Sequence, residues 1–470
     1  MIKKNHLNIS NYEVLSILIL IAISLVSYEI KYILMTLPFI LIVFFRYYFQ
    51  LTDIIIILLI IGLIALTTEF YEQFRPVLTL ISYGILFFFF LRKYGLEFSL
   101  YPRLPRALNY FFLLLFIALF ISTVFSGNKI ISSIALLRTI GFFLLCYLFY
   151  SLIENQNTYF LIIYALIAVV AILGYRMILD FITLGPQFYF ARVIISEAFQ
   201  LSGSLGYTGL TIFFISLTLL AGMFFMNRFS NKTKYFIITP VLILNILIII
   251  LANSRGGILA ALFSIIFIIL ILDKRALYLG LVTSTISLLI FYLTISSFQG
   301  AIDGYLRFNT VSDREIYWQM GLDVIQDNPL TGVGVDMFDK QFYNYASSDH
   351  LALFKTGSNK LGKPHPHNFF LYYTAENGIL GFFASIGFFL VFFYLGIKTI
   401  QLARVRERDK YVLSIVIVGI GIGLFVRTFI EIAGLLTYGY ITRDLPFWLL
   451  FVILIKIYME LSTEKFPIKE

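Results

Sequence analysis

Long apolar runs dominate this 470-residue chain and restrict its fold more than any other feature. Hydrophobic residues make up 60% of the sequence, and the mean hydropathy is +0.92. A soluble domain cannot hide so much apolar surface, whereas a protein that crosses a bilayer many times exposes it to lipid. The apolar residues of each run form no single stripe, as is typical of helices surrounded by lipid or by other helices. The sequence therefore predicts an all-α, polytopic membrane protein.

The runs that approach spanning length predict about 14 transmembrane helices. They lie at 12–28, 31–46, 53–68, 75–91, 109–126, 134–153, 158–182, 206–226, 235–252, 257–272, 275–295, 368–397, 411–430 and 444–461. We divide the chain into an N-terminal transmembrane bundle at 1–295 with about 11 helices, a large external loop at 296–367 with short helices, and a C-terminal part at 368–470 with about three helices. No small-residue cleavage site follows the first apolar run, so we expect no cleavable signal peptide.

The distribution of Lys and Arg predicts the orientation of these helices. Basic residues concentrate in the segments 92–106, 228–234 and 398–410, which fall on one side of the membrane. Short basic segments mark the cytoplasmic side, so we expect a multi-pass protein of the inner (cytoplasmic) membrane with both termini in the cytoplasm. The net charge of +9 then reflects topology and contact with anionic lipid, not binding to nucleic acid. The segments expected on the outer side are 183–205, 253–257 and 296–367.

A Ser-Arg-Gly-Gly sequence precedes the apolar helix expected at 257–272. Asn253 or Ser254 can cap that helix, and the two glycines leave its free backbone N–H groups open to a ligand. Arg255 beside a helix N-terminus makes an anion site that suits phosphate. The alternative is an arginine that contacts the lipid headgroups, beside glycines that serve helix packing.

The external loop carries one clear helix signal. Ser312 and Glu315 have the spacing of a capping box, and apolar residues follow one turn apart, so we predict a helix at 313–326. Arg314 falls in its first turn, where a cation opposes the helix dipole and costs local stability. It either binds an anionic ligand or pairs with a neighbouring carboxylate. Residues 347–364, rich in Ser, Gly, Lys and Asn, predict a mobile loop.

His367 and Asn368 stand at the outer end of the next apolar helix, after His365 and Pro366. Imidazole is the side chain best able to take up a proton near neutral pH, so His367 is the candidate general base. His365 competes with it for that role. Asn368 can fix the tautomer of the histidine or cap the helix. The alternative is an interfacial histidine with no part in chemistry.

The sequence predicts no metal site. No third ligand follows His365 and His367 at a suggestive spacing, although Asp349 and His350 lie in the same loop. Cys146 is the only cysteine and lies in an apolar run. A single cysteine excludes an intrachain disulfide and a cysteine-based metal site. We therefore expect neither a metal nor a cofactor.

Two pairs of opposite charges lie within the expected spans: Arg427 with Glu431, and Arg176 with Asp180. Each pair has the spacing of one helical turn, and charges inside a membrane usually face a cavity or one another. Structural pairing is the simplest interpretation of both. Glu431 is also a candidate to orient His367 or to contact a sugar, with Arg427 as a supporting residue.

Three of these residues together suggest a reaction. Arg255, Arg314 and His367 are all expected at the outer edge of the membrane. Two guanidinium groups can hold a diphosphate leaving group and stabilise its growing charge, while an imidazole deprotonates an acceptor hydroxyl. No carboxylate-bound metal is needed if the guanidinium groups neutralise the phosphates. The pattern favours transfer of a sugar from a lipid diphosphate.

Three motifs follow one another around the external loop. They are Ser254-Arg255-Gly256, then Arg314 to Trp318 with Asn328-Pro329-Leu330-Thr331-Gly332-Val333-Gly334, then His367-Asn368 with Glu376-Asn377-Gly378-Ile379-Leu380-Gly381. In this order and place they resemble the O-antigen ligase and O-antigen polymerase superfamily of bacterial polysaccharide membrane enzymes. The resemblance covers about residues 240–435; the first half of the chain is similar only in spanning the membrane many times.

The resemblance implies a metal-independent, membrane-embedded glycosyltransferase of the GT-C type. Its donor would be a glycan on undecaprenyl diphosphate at the outer leaflet, bound by Arg255 and Arg314. His367 would be the base, and Glu431 is a looser match to a late acidic residue of the family. The acceptor stays open: lipid A core for a ligase, another lipid-linked repeat unit for a polymerase, or a protein Ser or Thr for an O-oligosaccharyltransferase.

Two other classes remain as alternatives. A transporter, such as a flippase of lipid-linked glycans, should carry its charges near mid-membrane on broken helices, often in two related halves. Here the polar motifs gather at one face, which disfavours transport. A sensor or scaffold that uses the loop as a docking module would not depend on His367.

Overall fold

The computed structural model describes residues 51–66, 75–184, 198–251, 255–273, 312–345, 365–432 and 434–463. Every regular element in these ranges is a helix, so the all-α prediction is confirmed for them. We number the helices α1 Leu51–Ile61, α2 Arg75–Tyr94, α3 Arg106–Phe125, α4 Lys129–Leu152, α5 Gln156–Leu184, α6 Ala198–Met223, α7 Asn231–Leu251, α8 Arg255–Leu272, α9 Ser312–Asp327, α10 Phe338–Tyr345, α11 Phe369–Arg404, α12 Arg408–Arg427 and α13 Ile441–Thr463.

Eight helices of the described part are long and apolar enough to cross a membrane: α2, α3, α4, α5, α7, α11, α12 and α13. Shorter apolar helices cover Thr52–Ile64, Thr211–Met223 and Gly256–Leu272. Each of these corresponds to an expected run, and the chain is a multi-pass membrane protein. The runs at 12–28, 31–46 and 275–295 lie outside the described residues, so the count of about 14 spans stays a prediction.

Three predictions about the loops have different outcomes. The 183–205 loop is shorter than hydropathy indicates, because α5 continues to Leu184 and α6 begins at Ala198. Hydropathy locates the part of a helix that lipid surrounds, whereas backbone hydrogen bonds continue past the membrane boundary. The helix predicted at 313–326 is confirmed, since α9 spans Ser312–Asp327. The mobile loop expected at 347–364 lies outside the described residues.

The three basic segments of the sequence lie at one end of the helix bundle, here called the basic end. Contacts near these segments are Asn227 N–H to Asp409 (2.8 Å), Gln156 to Glu407 (2.6 Å) and Lys93 to Glu154 (2.7 Å). They agree with the prediction that the segments share one side of the membrane. That this side is the cytoplasm stays a prediction from the charge pattern.

At the opposite end, here called the motif end, α11 is broken at Gly378 (φ 62°, ψ −156°). The segment 328–337 between α9 and α10, here called the docking segment, pairs with the backbone groups that the break leaves open. These hydrogen bonds are Val333 N–H to Ala375 O (3.1 Å), Gly334 N–H to Glu376 O (3.0 Å) and Ile379 N–H to Pro329 O (2.9 Å). Backbone groups hidden from water need partners, so the break and the docking segment stabilise each other.

Two glycines allow this close approach. A Cβ atom on Gly332 would lie 2.2 Å from the carbonyl carbon of Glu376, and one on Gly378 would lie 2.2 Å from the carbonyl oxygen of Leu330. Both glycines have positive φ (67° and 62°), which other residues rarely adopt. The two glycine-containing motifs at 328–334 and 376–381 are thus the two halves of one joint.

The buried carboxylate of Glu376 strengthens this joint. It accepts hydrogen bonds from the backbone N–H groups of Asp336 (2.9 Å) and Phe338 (2.8 Å), the latter being the first residue of α10. Arg138 of α4 donates to the Asp336 carboxylate (3.0 Å) and to the backbone oxygen of Tyr438 (2.6 Å). Glu376 therefore stands where α4, the docking segment and the segment after α12 meet.

Replacing Glu376 with alanine should destabilise the protein, because one buried and one partly buried N–H group lose their acceptor, at a cost of about 1–3 kcal/mol for the buried one. We expect a lower melting temperature for purified Glu376→Ala in detergent, measured by loss of the monodisperse peak after heating. The control Glu154→Ala removes a half-exposed carboxylate at the basic end and should change the melting temperature little. Equal melting temperatures for the two variants would contradict the role of Glu376.

Candidate functional site

His367 lies two residues before α11 at the motif end, with a left-handed backbone (φ 46°). Such conformations in residues other than glycine concentrate at functional sites. Asn368 is the N-cap of α11, and its side-chain oxygen accepts from the N–H of Leu371 (3.0 Å). The N–H of Phe369 donates to the carbonyl of Thr428 (2.8 Å), which fixes the start of α11 against the end of α12. Of the two roles expected for Asn368, the geometry supports the cap.

Glu431 contacts the candidate base. One of its carboxylate oxygens lies 3.5 Å from Nδ1 of His367, at the outer limit of a hydrogen bond, and both side chains are largely buried. Burial alone raises the pKa of the Glu431 carboxyl, but a hydrogen bond from His367 and nearby cationic side chains outweigh burial and hold the pKa well below its usual range. An ionised carboxylate beside Nδ1 favours the tautomer with its proton there, which leaves Nε2 free to accept one.

The structure corrects the helical spacing expected of Arg427 and Glu431, although the charge of Arg427 still acts on the Glu431 carboxyl. Helix α12 ends at Arg427, and Glu431 lies beyond it, so the two are not on successive turns of one helix. The apolar residues after Arg427 continue the hydropathy signal and conceal the turn. Arg427 is buried and donates a hydrogen bond to the hydroxyl of Thr211 in α6. The other expected pair, Arg176 with Asp180, has side chains outside the described part.

His365 lies beside His367. Their ring centroids are 3.9 Å apart, and Nδ1 of His365 accepts a hydrogen bond from the backbone N–H of His367 (3.3 Å). One ligand atom from each of His365, His367 and Glu431 lies within 4.8 Å of the others. The sequence offered no third ligand for the two histidines because Glu431 follows them only after the whole of α11 and α12. These three residues could hold a metal ion.

Helix α9 packs over the candidate base. The ring of Tyr317 lies 6.1 Å from that of His367, centroid to centroid, and a Cβ on Gly321 would lie 2.8 Å from the side chain of Leu371. Arg314 stands one turn before Tyr317, so the backbone of α9 brings it near His367. Its side chain lies outside the described part, and its contact with a ligand stays a prediction.

Helix α8 begins at Arg255, two residues earlier than expected. A Cβ on Gly256 would lie 3.1 Å from Cδ1 of Ile430 and 3.8 Å from Cγ of Arg427. The N-terminus of α8 therefore packs against the turn that precedes Glu431. The side chain of Arg255 is not described, so its contact with phosphate also stays a prediction.

Sequence analysis assigned no role to the residues that hold this end together. The described part of the chain contains three residues other than glycine with positive φ, which are Asp336, His367 and Tyr438, and all three lie at the motif end. Arg138 binds two of them, and Glu376 accepts from the N–H of one. In the sequence, Glu376 and the docking segment each lie in a glycine-containing motif. The glycines in both motifs are the signal that the two segments approach each other closely.

A match to a known protein family covers the same region. Residues 240–386 match the model of the O-antigen ligase family. The chain is also similar to the exopolysaccharide production protein ExoQ of Rhizobium meliloti (strain 1021), with 32% identity over 131 residues, which is 28% of this chain and 28% of that protein. The family match includes Arg255, Arg314 and His367 and ends before Glu431.

The matched residues contain all three motifs on which the resemblance rests, together with the docking segment and the helix break that join two of them. The resemblance is therefore confirmed over residues 240–386, where the chain matches the O-antigen ligase family.

Proposed function

We propose that the protein transfers a glycan from undecaprenyl diphosphate to an acceptor hydroxyl at the outer face of the cytoplasmic membrane. The observation that carries this proposal is the contact between His367 and Glu431 beside the N-termini of α8 and α9. A base with a carboxylate behind it suits proton removal, and two helix N-termini suit a diphosphate. The family match supports a glycan substrate carried by a lipid.

His367 acts as the general base. Its Nε2 removes the proton of the acceptor hydroxyl while the acceptor oxygen bonds to the anomeric carbon of the donor glycan. The bond from that carbon to the diphosphate oxygen breaks, and its electron pair leaves with the lipid diphosphate. Glu431, ionised next to Nδ1, orients the ring and stabilises the imidazolium that forms.

Arg255 and Arg314 bind the leaving group. Each stands in the first turn of its helix, where backbone N–H groups without helical partners also attract an anion. Two guanidinium groups balance the charge that grows on the diphosphate, so the reaction requires no metal. The close approach of Gly256 to the side chain of Ile430 and the ring contact of Tyr317 with His367 support a common site for both arginines.

Three acceptors fit this chemistry: lipid A core, another lipid-linked repeat unit, and a protein Ser or Thr. The printed name of the similar Rhizobium protein concerns exopolysaccharide production, which favours a polymer-forming reaction over protein glycosylation. Deletion of the gene separates the alternatives on a glycan gel. Single repeat units at the acceptor mean a lost polymerase, and unattached lipid-linked polymer means a lost ligase.

His367→Ala should reduce glycan transfer by about a hundredfold or more, because the general base is removed. Transfer is measured in membrane vesicles with a lipid-linked donor, and expression and membrane insertion should equal those of the wild type. His365→Ala is the matched variant and should keep more activity than His367→Ala. The reverse order would assign the base to His365, and full activity in both variants would end the catalytic assignment.

Arg255→Lys and Arg314→Lys should each lose most of the transfer activity, since the point charge of Lys cannot replace the two-pronged contact of a guanidinium with phosphate. The loss is measured as initial rate at several donor concentrations. Arg404→Lys, an exposed change at the basic end, serves as the control and should transfer at the wild-type rate. Near-normal rates in the two Lys variants would indicate simple charge attraction instead of geometric recognition.

A further inference from the structure

The cluster of His365, His367 and Glu431 has the composition of a metal site as well as of a base. Two imidazoles and one carboxylate, with a coordination position left for water, form the ligand set of many zinc centres. One ligand atom from each residue lies within 4.8 Å of the other two, and none of the three side chains is fully exposed. The site requires that small movements bring these atoms to coordination distance.

The geometry is close to that requirement. Zinc bonds of about 2.0–2.1 Å place neighbouring ligand atoms about 3.3 Å apart in a tetrahedron. Nδ1 of His367 and the carboxylate of Glu431 are already 3.5 Å apart, so those two need almost no movement. His365 precedes α11 and lies in no helix, so its ring can shift without breaking regular structure.

The weak hydrogen bonding of the two histidine Nδ1 atoms also favours a metal site. Nδ1 of His367 is buried, and its contact with Glu431 is long for a hydrogen bond (3.5 Å). Nδ1 of His365 accepts a long hydrogen bond (3.3 Å) from a backbone N–H and so carries a lone pair instead of a proton. A metal ion would give both nitrogens a stronger partner.

We propose that His365, His367 and Glu431 form a site for a divalent transition metal, with Zn²⁺ as the ion considered, and that bound metal blocks glycan transfer. Coordination would use Nδ1 of His367 and one oxygen of Glu431. The carboxylate could then no longer stabilise a protonated imidazole, so His367 would lose its function as a base. Metal binding stands by itself, whereas inhibition rests on the proposed function.

Binding is tested on the full-length protein, purified in detergent and stripped with a chelator. Co²⁺, which takes the same ligands as Zn²⁺, is titrated while its visible absorption bands are recorded, and Zn²⁺ is then added to displace it. We expect bands that saturate at one ion per chain and vanish on addition of Zn²⁺. His365→Ala and Glu431→Gln should lack the bands. Asp323→Asn removes a carboxylate on α9 that is not part of the cluster, and this variant should keep them.

Two results would overturn the site: no Co²⁺ bands in the wild type, or unchanged bands in His365→Ala. Glu431→Gln is interpreted only if it elutes as a monodisperse peak; if it does not, His365→Ala decides. These measurements involve no glycan, so a failure here leaves the proposed function intact. Conversely, normal Co²⁺ bands together with normal transfer by His367→Ala would refute the proposed function and keep the site.

Inhibition is tested with the transfer assay. Saturating Zn²⁺ should lower the rate by about a hundredfold, the contribution of a general base, and a chelator should restore it. Mg²⁺ at the same concentration should have no such effect, because it prefers oxygen ligands. A rate that is unchanged or raised by Zn²⁺, in protein that shows the Co²⁺ bands, would overturn the inhibitory part of the proposal.

Discussion

The break in α11 and the docking segment depend on each other, and the motif end is built on that dependence. A helix broken at Gly378 exposes backbone groups that the bilayer boundary cannot satisfy, and the docking segment supplies their partners. The same pairing fixes the segment that follows α9, and α9 packs over His367. The position of the candidate base relative to Arg314 is thus a consequence of backbone hydrogen bonds between residues 329–334 and 375–379.

The sequence predicts most of the fold because hydrophobicity within a membrane is a strong and local signal. The expected runs match the eight long helices of the described part, and the capping box at Ser312 correctly locates α9. The charge pattern groups the three basic segments, which the contacts at the basic end support. Helix ends are less well predicted, as α6 and α12 show, because hydropathy does not register where backbone hydrogen bonds stop.

The candidate site is only partly visible in the sequence. His367 and Asn368 can be selected from residue chemistry, but the partner of His367 lies two helices later and on a turn. No spacing rule joins a histidine before α11 to a carboxylate after α12. Because of the same separation in sequence, Glu431 cannot be recognised as a third ligand for His365 and His367. Likewise Glu376 reads as one polar residue in an apolar helix, and its function as a backbone acceptor depends on the docking segment.

In the proposed reaction, a lipid diphosphate binds between the N-termini of α8 and α9, next to His367. The most direct measurement is photocrosslinking in membranes with a lipid-linked glycan whose photoreactive group sits beside the diphosphate, followed by mapping of the labelled peptides. We expect labels in the first turns of α8 and α9 and in the residues that precede α11. Labels confined to the basic end, or spread along lipid-facing helices without these three segments, would contradict it.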